Sequence, residues 1–209
     1  MRLIDKFITE IDKGLKFSTQ NYQKESRQYP AQNIEEDSLS ELDRSISASL
    51  MRINHAGEVS AKGLYRGQAL TARLDGTREK MDEAAEEELD HLAWCNKRLE
   101  ELDEKPSIFN PIWYGLSFTM GAIAGMAGDK WSLGFVHETE EQVVTHLEGH
   151  LDKLSTEDKK TIAILEQMRI DEAQHSQEAL ESGAEDLPEG IKKLMSVIAR
   201  VMTKSSYYI

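Results

Sequence analysis

The sequence predicts an all-α protein built around a four-helix bundle, and three observations carry that prediction. Only four prolines interrupt 209 residues. Long stretches mix Glu, Lys, Leu, Ala and Gln, residues that lose little rotamer freedom in a helix. Segments around Glu88 and Glu172 repeat one pattern of acidic and imidazole side chains at helical spacing, each behind a long helical stretch of its own. A hydrophobic share of 39% against 30% charged residues is enough to build a core.

Residues 3–17 place Leu3, Ile4, Phe7, Ile8, Ile11 and Leu15 at helical spacing, which predicts a short amphipathic helix. Residues 18–40 are polar and aperiodic and read as a linker, so the chain divides into residues 1–40 and a main helical domain over 41–209. A first long helix is expected from about Ser45 to Leu74, stopping before Asp75-Gly76. Thr77 is the expected N-cap of a second helix, with Lys80 in place of the acid that would complete a capping box. That helix runs to Asp103 and is stopped by Lys105-Pro106. A third is expected over 130–154. Ser155 is the expected cap of a fourth, which runs to Ser182 and stops at Gly183, and Pro188 opens a last helix reaching toward Lys204.

Residues 108–128 stand apart. They hold ten large apolar or aromatic side chains, among them Trp113, Tyr114, Phe118 and Ile123, and no charged residue precedes Asp129. The stretch is at the edge of transmembrane length, but Asn110-Pro111 and Gly121, Gly125 and Gly128 interrupt it. A crossover helix packed on the bundle, or one dipping into a single leaflet, fits this better than a full span.

A net charge of −13 argues against nucleic acid as a partner, because phosphate contacts need a basic face. Cys95 is the lone cysteine, so neither an intramolecular disulfide nor a thiolate metal cluster can form, and it reads as a buried small hydrophobe. Asp5, Glu10 and Asp12 break the apolar run a signal peptide would need, so the chain is expected to be cytoplasmic.

The chemistry lies in two Glu-x-x-His pairs, Glu88/His91 and Glu172/His175. Residues three apart share a helix face, so each pair points at one centre. A lone acid precedes each pair on the preceding helix: Glu58, 30 residues before Glu88, and Glu140, 32 before Glu172. From Glu58 to Glu140 is 82 residues, and from His91 to His175 is 84, so one unit occurs twice. This is the ligand set of the ferritin-like di-metal carboxylate bundles. Four carboxylates largely neutralise two divalent cations in a buried site, and hard oxygen donors with imidazole suit iron or manganese better than zinc or copper(I). In a chain with 38 acidic residues a single Glu-x-x-His would be unremarkable; the repeat, with its matched upstream acids, gives the pattern its weight. The adjacent Glu141 competes with Glu140 for the ligand position. His55, three before Glu58, and His146, six after Glu140, are placed to touch the site, His146 by orienting a ligand from outside. His137 and His150 read as surface or packing residues.

Asn54-His55-Ala56-Gly57-Glu58 and Tyr65-Arg66-Gly67-Gln68 resemble the first ligand helix of the demethoxyubiquinol hydroxylase family of ubiquinone biosynthesis. The likeness continues through Glu88-x-x-His91, the glycines at 121–128, Glu140-Glu141 with His146, and Asp171-Glu172-x-x-His175, and spans roughly residues 45–205. Gln174 and a shortened stretch between Glu140 and Glu172 depart from the pattern without touching a ligand. The resemblance favours Glu140 over Glu141. It implies a ferritin-like fold, two ferrous ions (Fe2+) held by Glu58, Glu88, His91, Glu140, Glu172 and His175, and an oxygen-dependent monooxygenase. The implied substrate is a polyprenylated 3-demethoxyubiquinol, a methoxy-methyl-benzoquinol hydroxylated at the ring carbon that still carries hydrogen. One oxygen atom enters the ring and the other leaves as water. The apolar tail of that substrate implies a peripheral place on the cytoplasmic face of the cell membrane, with Trp113, Tyr114 and Trp131 at headgroup level. It also suggests further partners: an electron donor, either NADH or a reductase, and other members of a ubiquinone-biosynthesis complex. No Gly-x-Gly-x-x-Gly fingerprint for a nicotinamide cofactor is present. The rival expectation is a ferritin-like protein that stores iron or removes peroxide, which needs no continuous apolar segment.

Overall fold

The computed structural model describes Thr9, residues 27–35 and residues 38–209. The helix expected over 3–17 and much of the expected linker lie outside the described residues. Those described form six α-helices and no strand: α1 (Glu41–Thr71), α2 (Asp75–Glu101), α3 (Asn110–Ala127), α4 (Asp129–Leu151), α5 (Lys159–Glu181) and α6 (Glu189–Ser206). The architecture is the expected all-α bundle: α1 pairs with α2, α4 pairs with α5, α3 crosses over against α1, and α6 packs on α1 and α4.

The helix starts differ from expectation for identifiable reasons. Ser40 caps α1 by accepting from the Asp43 amide, with Glu41 and Asp43 in the first turn to complement the helix dipole. α2 begins at Asp75 rather than after Thr77, and Leu74 offers no side-chain cap. Instead Asp129, at the start of α4, accepts from the Arg73 and Leu74 amides at 3.0 Å each and ties the α1–α2 turn to α4. Asp158, not Ser155, caps α5 through the Thr161 amide, and it is also the buried partner of Arg98 on α2, 2.7 Å away.

Two apolar clusters bracket the site, and a third, of Val59, Leu92, Tyr114 and Phe118, seats α3 against α1 and α2. Of the first two, one joins Met51, Trp94, Cys95, Leu99, Leu147, Ile164, Leu165 and Met168; the other joins Ala61, Leu64, Tyr65, Met81, Ala85, Leu133, Val136 and Ala179. Along each of α1, α2, α4 and α5 the predicted ligand lies between these two layers, so the apolar packing sets the height at which the acids face one another. Cys95 is fully buried, as its sequence context indicated.

The segment before α1 is less independent than its composition suggested. Tyr29 and Ala31 are buried in the first cluster, Lys97 sits over the Tyr29 ring, and Arg27 pairs with Asp171.

No helix among the described residues is long and apolar enough to cross a membrane. α3 packs one face on α1 and exposes the other. Tyr114 and Phe118 are buried, so Tyr114 is not placed for a headgroup role, whereas Ile108, Ile112, Leu116, Ile123 and Met126 are exposed. Backbones meet closely along the contact: a Cβ on Gly121 would lie 2.0 Å from the Leu64 carbonyl oxygen, and one on Gly67 2.1 Å from that of Phe118. Gly121→Ala is therefore expected to force α1 and α3 apart at a cost of about 1–3 kcal/mol or more, read as a lowered Tm. Gly115→Ala, where nothing lies within 4 Å, is the matched control and is expected to be close to neutral.

Candidate metal centre

The six predicted ligands converge from four helices: Glu58 from α1, Glu88 and His91 from α2, Glu140 from α4, and Glu172 and His175 from α5. Their donor atoms form two overlapping groups, Glu58–Glu88–His91–Glu172 and Glu88–Glu140–Glu172–His175, each compact enough to hold one cation. Glu88 and Glu172 belong to both groups and are placed to bridge. Glu140 is buried in the second group, while Glu141 is exposed, lies outside both groups and accepts from the Ser176 hydroxyl.

Both histidines present the same nitrogen to the centre. His91 Nδ1 lies 2.9 Å from Glu172 Oε1 and 3.4 and 3.5 Å from oxygens of Glu88 and Glu58. His175 Nδ1 lies 3.1 Å from the other oxygen of Glu172. Each Nε2 faces outward to a carboxylate 2.9 Å away, Asp171 for His91 and Glu87 for His175. The residue before the ligand acid on each helix thus grips the histidine of the opposite helix. This reciprocal arrangement fixes ring orientation and tautomer, the usual task of such partners. It follows from sequence, since Glu87 and Asp171 precede Glu88 and Glu172, but only the crossing of α2 and α5 reveals it. Asp171→Asn or Glu87→Gln is expected to weaken cation binding roughly 10- to 100-fold with the helices intact, as measured by titration and circular dichroism.

Both oxygens of Glu88, His91 Nδ1 and one oxygen of Glu140 are buried without hydrogen-bond partners. Buried orphans of this kind are costly, and a pair of cations would satisfy all of them together. The residues present therefore fit a di-metal centre.

Electrostatics point the same way. Burial and the neighbouring Glu88 push the Glu58 carboxyl well above its usual range, and burial with Glu172 does the same to Glu140. Burial alone would lower His91 and His175, but the surrounding carboxylates reverse this, raising His91 well above its ordinary value and His175 to about 12. Burial opposes the charge on Glu172, yet the two imidazoles hold it below the usual carboxylate range. Protons thus balance the acids when no cation is present, and cations must displace them to bind.

The other histidines separate cleanly. His55 Nδ1 bonds Asn110 on α3 at 3.1 Å, away from the cation groups. His137 bonds the Ser176 hydroxyl at 2.8 Å. His150 is buried, with Nδ1 donating to Asn54 Oδ1 at 2.9 Å and its ring edge-on to His146. His146 lines a cavity of about 720 Å3 enclosed by α1, α3, α4 and α6, and its buried Nε2 has no partner. The cavity reaches Glu58, and its walls include Ile53, Leu64, Met120, Val143, Met195 and Met202. Asn54, one helical turn before Glu58, also lines it; Oδ1 is taken by His150, leaving the buried Nδ2 unpartnered. Sequence reasoning missed Asn54, although its four-residue spacing from Glu58 puts both on one face.

Residues 45–206 match the model of the family described as "Ubiquinone biosynthesis protein COQ7". A 3-demethoxyubiquinol 3-hydroxylase of Nitrosococcus oceani is 52% identical over 206 residues, covering 99% of this chain and 96% of the relative. One from Legionella pneumophila is 53% identical over 207 residues, covering 99% and 97%, and one from Pseudomonas paraeruginosa is 52% identical over 206, covering 99% and 96%.

Proposed function

We infer, from the premise that this chain belongs to the ubiquinone biosynthesis protein COQ7 family, that its paired acid–histidine groups hold two iron ions beside a quinol-binding cavity. The chain is a 3-demethoxyubiquinol 3-hydroxylase, an oxygen-dependent monooxygenase of ubiquinone biosynthesis. The observation that carries the inference is the juxtaposition of two cation groups sharing Glu88 and Glu172 with a cavity that ends at Glu58. Iron is favoured over zinc because the donors are four carboxylates and two imidazoles, with no thiolate.

When bound, the iron pair supplies the activation of dioxygen, with one atom destined for the ring and the other for water. The chain's own part is to seat, orient and shield. Asn54 Nδ2 and His146 Nε2, both buried and unpartnered, are placed to bond the two ring oxygens and turn the unsubstituted carbon toward Glu58. The aliphatic and methionine walls exclude water and accept the start of the prenyl tail. Glu87 and Asp171 keep both imidazoles from rotating as charge at the centre changes.

The cavity lies between α3 and α6, and both helices carry apolar outer faces. Ile112, Leu116 and Ile123 are exposed on α3, and Leu194, Val197 and Val201 on α6. A peripheral seat on a lipid bilayer, with both faces in the headgroup and upper acyl region, lets the tail pass from membrane to cavity. Ile123→Asp with Val201→Asp is expected to shift the protein out of a vesicle pellet into the supernatant, while iron content is unchanged. Phe118 is unsuitable for this test because it is buried against α1. A reading as an iron-storing or peroxide-handling protein is not favoured, since it gives the cavity no role.

The function is tested by the quinone content of cells lacking the gene. Demethoxyubiquinone is expected to accumulate and to disappear when the intact chain is supplied, but not when Glu172→Ala is supplied. A normal quinone profile without the gene would contradict the assignment.

A further inference from the structure

The two halves of the centre are not equivalent. His91 is 1% exposed, and its partner Asp171 is only 11% exposed, clamped in turn by the two terminal nitrogens of the Arg27 guanidinium and by Gln167. His175 is 13% exposed, and its partner Glu87 is 60% exposed. Glu87 and His175 line a second cavity of about 150 Å3, walled by α2, α4, α5 and Tyr65 of α1 and sharing no residue with the cavity that reaches Glu58. Glu83 and Glu178 join Glu87 around it, three carboxylates against one lysine, Lys80, which is bonded to the Ser182 hydroxyl. Tyr65 is fully buried at this cavity, and its hydroxyl has no hydrogen-bond partner.

We propose that this second cavity is the port through which divalent cations reach the centre, with Glu87 as the transfer ligand and the His175 half as the first to fill. The acidic lining concentrates cations at the opening. Glu87, 60% exposed, can swing from His175 Nε2 into solvent while Glu172 stays on the other ring nitrogen, whereas Asp171 is held by Arg27 and Gln167. The unpartnered Tyr65 hydroxyl offers an oxygen to a hydrated cation in passage. With this port, cations can load while the larger cavity is occupied by quinol. The proposal rests on the di-metal reading of the six ligands.

The test is the rate at which the metal-free full-length protein takes up ferrous iron without oxygen, followed by stopped flow with residual iron trapped by a coloured chelator. Glu83→Gln with Glu178→Gln is expected to slow uptake roughly 10-fold at low ionic strength, the lower end of what a focused field contributes. The wild-type rate is expected to fall toward the variant's as salt is raised, because screening removes the same attraction. Final iron content and the activity of the loaded variant are expected to match wild type. Ser196→Phe, which fills the larger cavity, is expected to leave the uptake rate unchanged. Slowing by Ser196→Phe but not by the paired acid variant would overturn the port. So would full uptake at the wild-type, salt-independent rate in the acid variant. Failure of the wild-type chain to take up two irons would instead overturn the di-metal reading, and the port with it.

Discussion

Glu172→Ala is expected to remove both metals, not one, and to abolish hydroxylation while the helices remain. Glu172 is the acid whose two oxygens face both imidazoles, and it belongs to both cation groups. Its loss removes the one carboxylate that lies against the Nδ1 of both His91 and His175, and takes a shared acid from a centre with four acids to begin with. The fall in activity is expected to exceed the roughly 100-fold upper range for losing an outer carboxylate such as Asp171. Iron content by elemental analysis, read beside circular dichroism, separates this from unfolding. Glu141→Ala, one residue beyond a ligand but facing the Ser176 hydroxyl, is expected to keep both irons. If Glu141→Ala lost iron and Glu140→Ala did not, the ligand set would be wrong at that position.

The largest expected effect on stability lies away from the centre, at Asp158. Its carboxylate, fully buried, caps α5 through the Thr161 amide, receives the Arg98 guanidinium at 2.7 Å and bonds the Ser47 hydroxyl, so it joins α1, α2 and α5 at one end of the bundle. Asp158→Ala takes the 2.7 Å partner from the buried Arg98 and leaves it the part-exposed Glu101 carboxylate and the Thr161 hydroxyl, and breaking a buried pair from one side costs up to about 3–5 kcal/mol. For a chain of this length that corresponds to a fall in Tm of roughly 6–20 °C. Replacing both partners with apolar residues, Arg98→Met with Asp158→Leu, is expected to recover a large part of the loss, because no buried charge remains there and Glu101 keeps Lys160 at 3.2 Å. Burial would raise the Asp158 pKa, but the Ser47 and Thr161 bonds and the Arg98 charge outweigh it and hold the group below the usual carboxylate value. The stabilisation is therefore complete above the unfolded-state pKa of about 3.9 and is lost as pH falls through the lower folded value. Wild type is expected to lose its Tm advantage over Asp158→Ala in that acid range.

The six candidate ligands that converge in the bundle are legible in the sequence because helical spacing and a repeat both act on the same residues. Glu-x-x-His fixes two side chains on one face, and the matched upstream acids fix which helices must meet. Repeat spacing favours Glu140 over Glu141 without deciding it, since adjacent residues point about 100° apart on a helix. Helix starts differ from expectation where tertiary contacts decide the cap: Asp129 serves the turn before α2, and Asp158, tied to Arg98, caps α5 in place of the expected Ser155. The 27–35 segment looked like linker because one tyrosine and one alanine carry no period, yet Tyr29 fills a place in the core and Arg27 reaches the acid that orients His91. The apolar stretch at 108–128 was visible, but its two faces were not. Glycines placed for close approach to α1 decide which side chains turn inward, and they took Tyr114 and Phe118 with them.

The most direct test of the central claim uses the purified full-length chain, loaded with two ferrous ions and given reduced demethoxyubiquinol and isotopically heavy dioxygen. Wild type is expected to form a product with one new ring hydroxyl carrying one heavy oxygen atom, and Glu172→Ala none. A product whose new oxygen comes from water, or consumption of dioxygen with no hydroxylated ring, would contradict it.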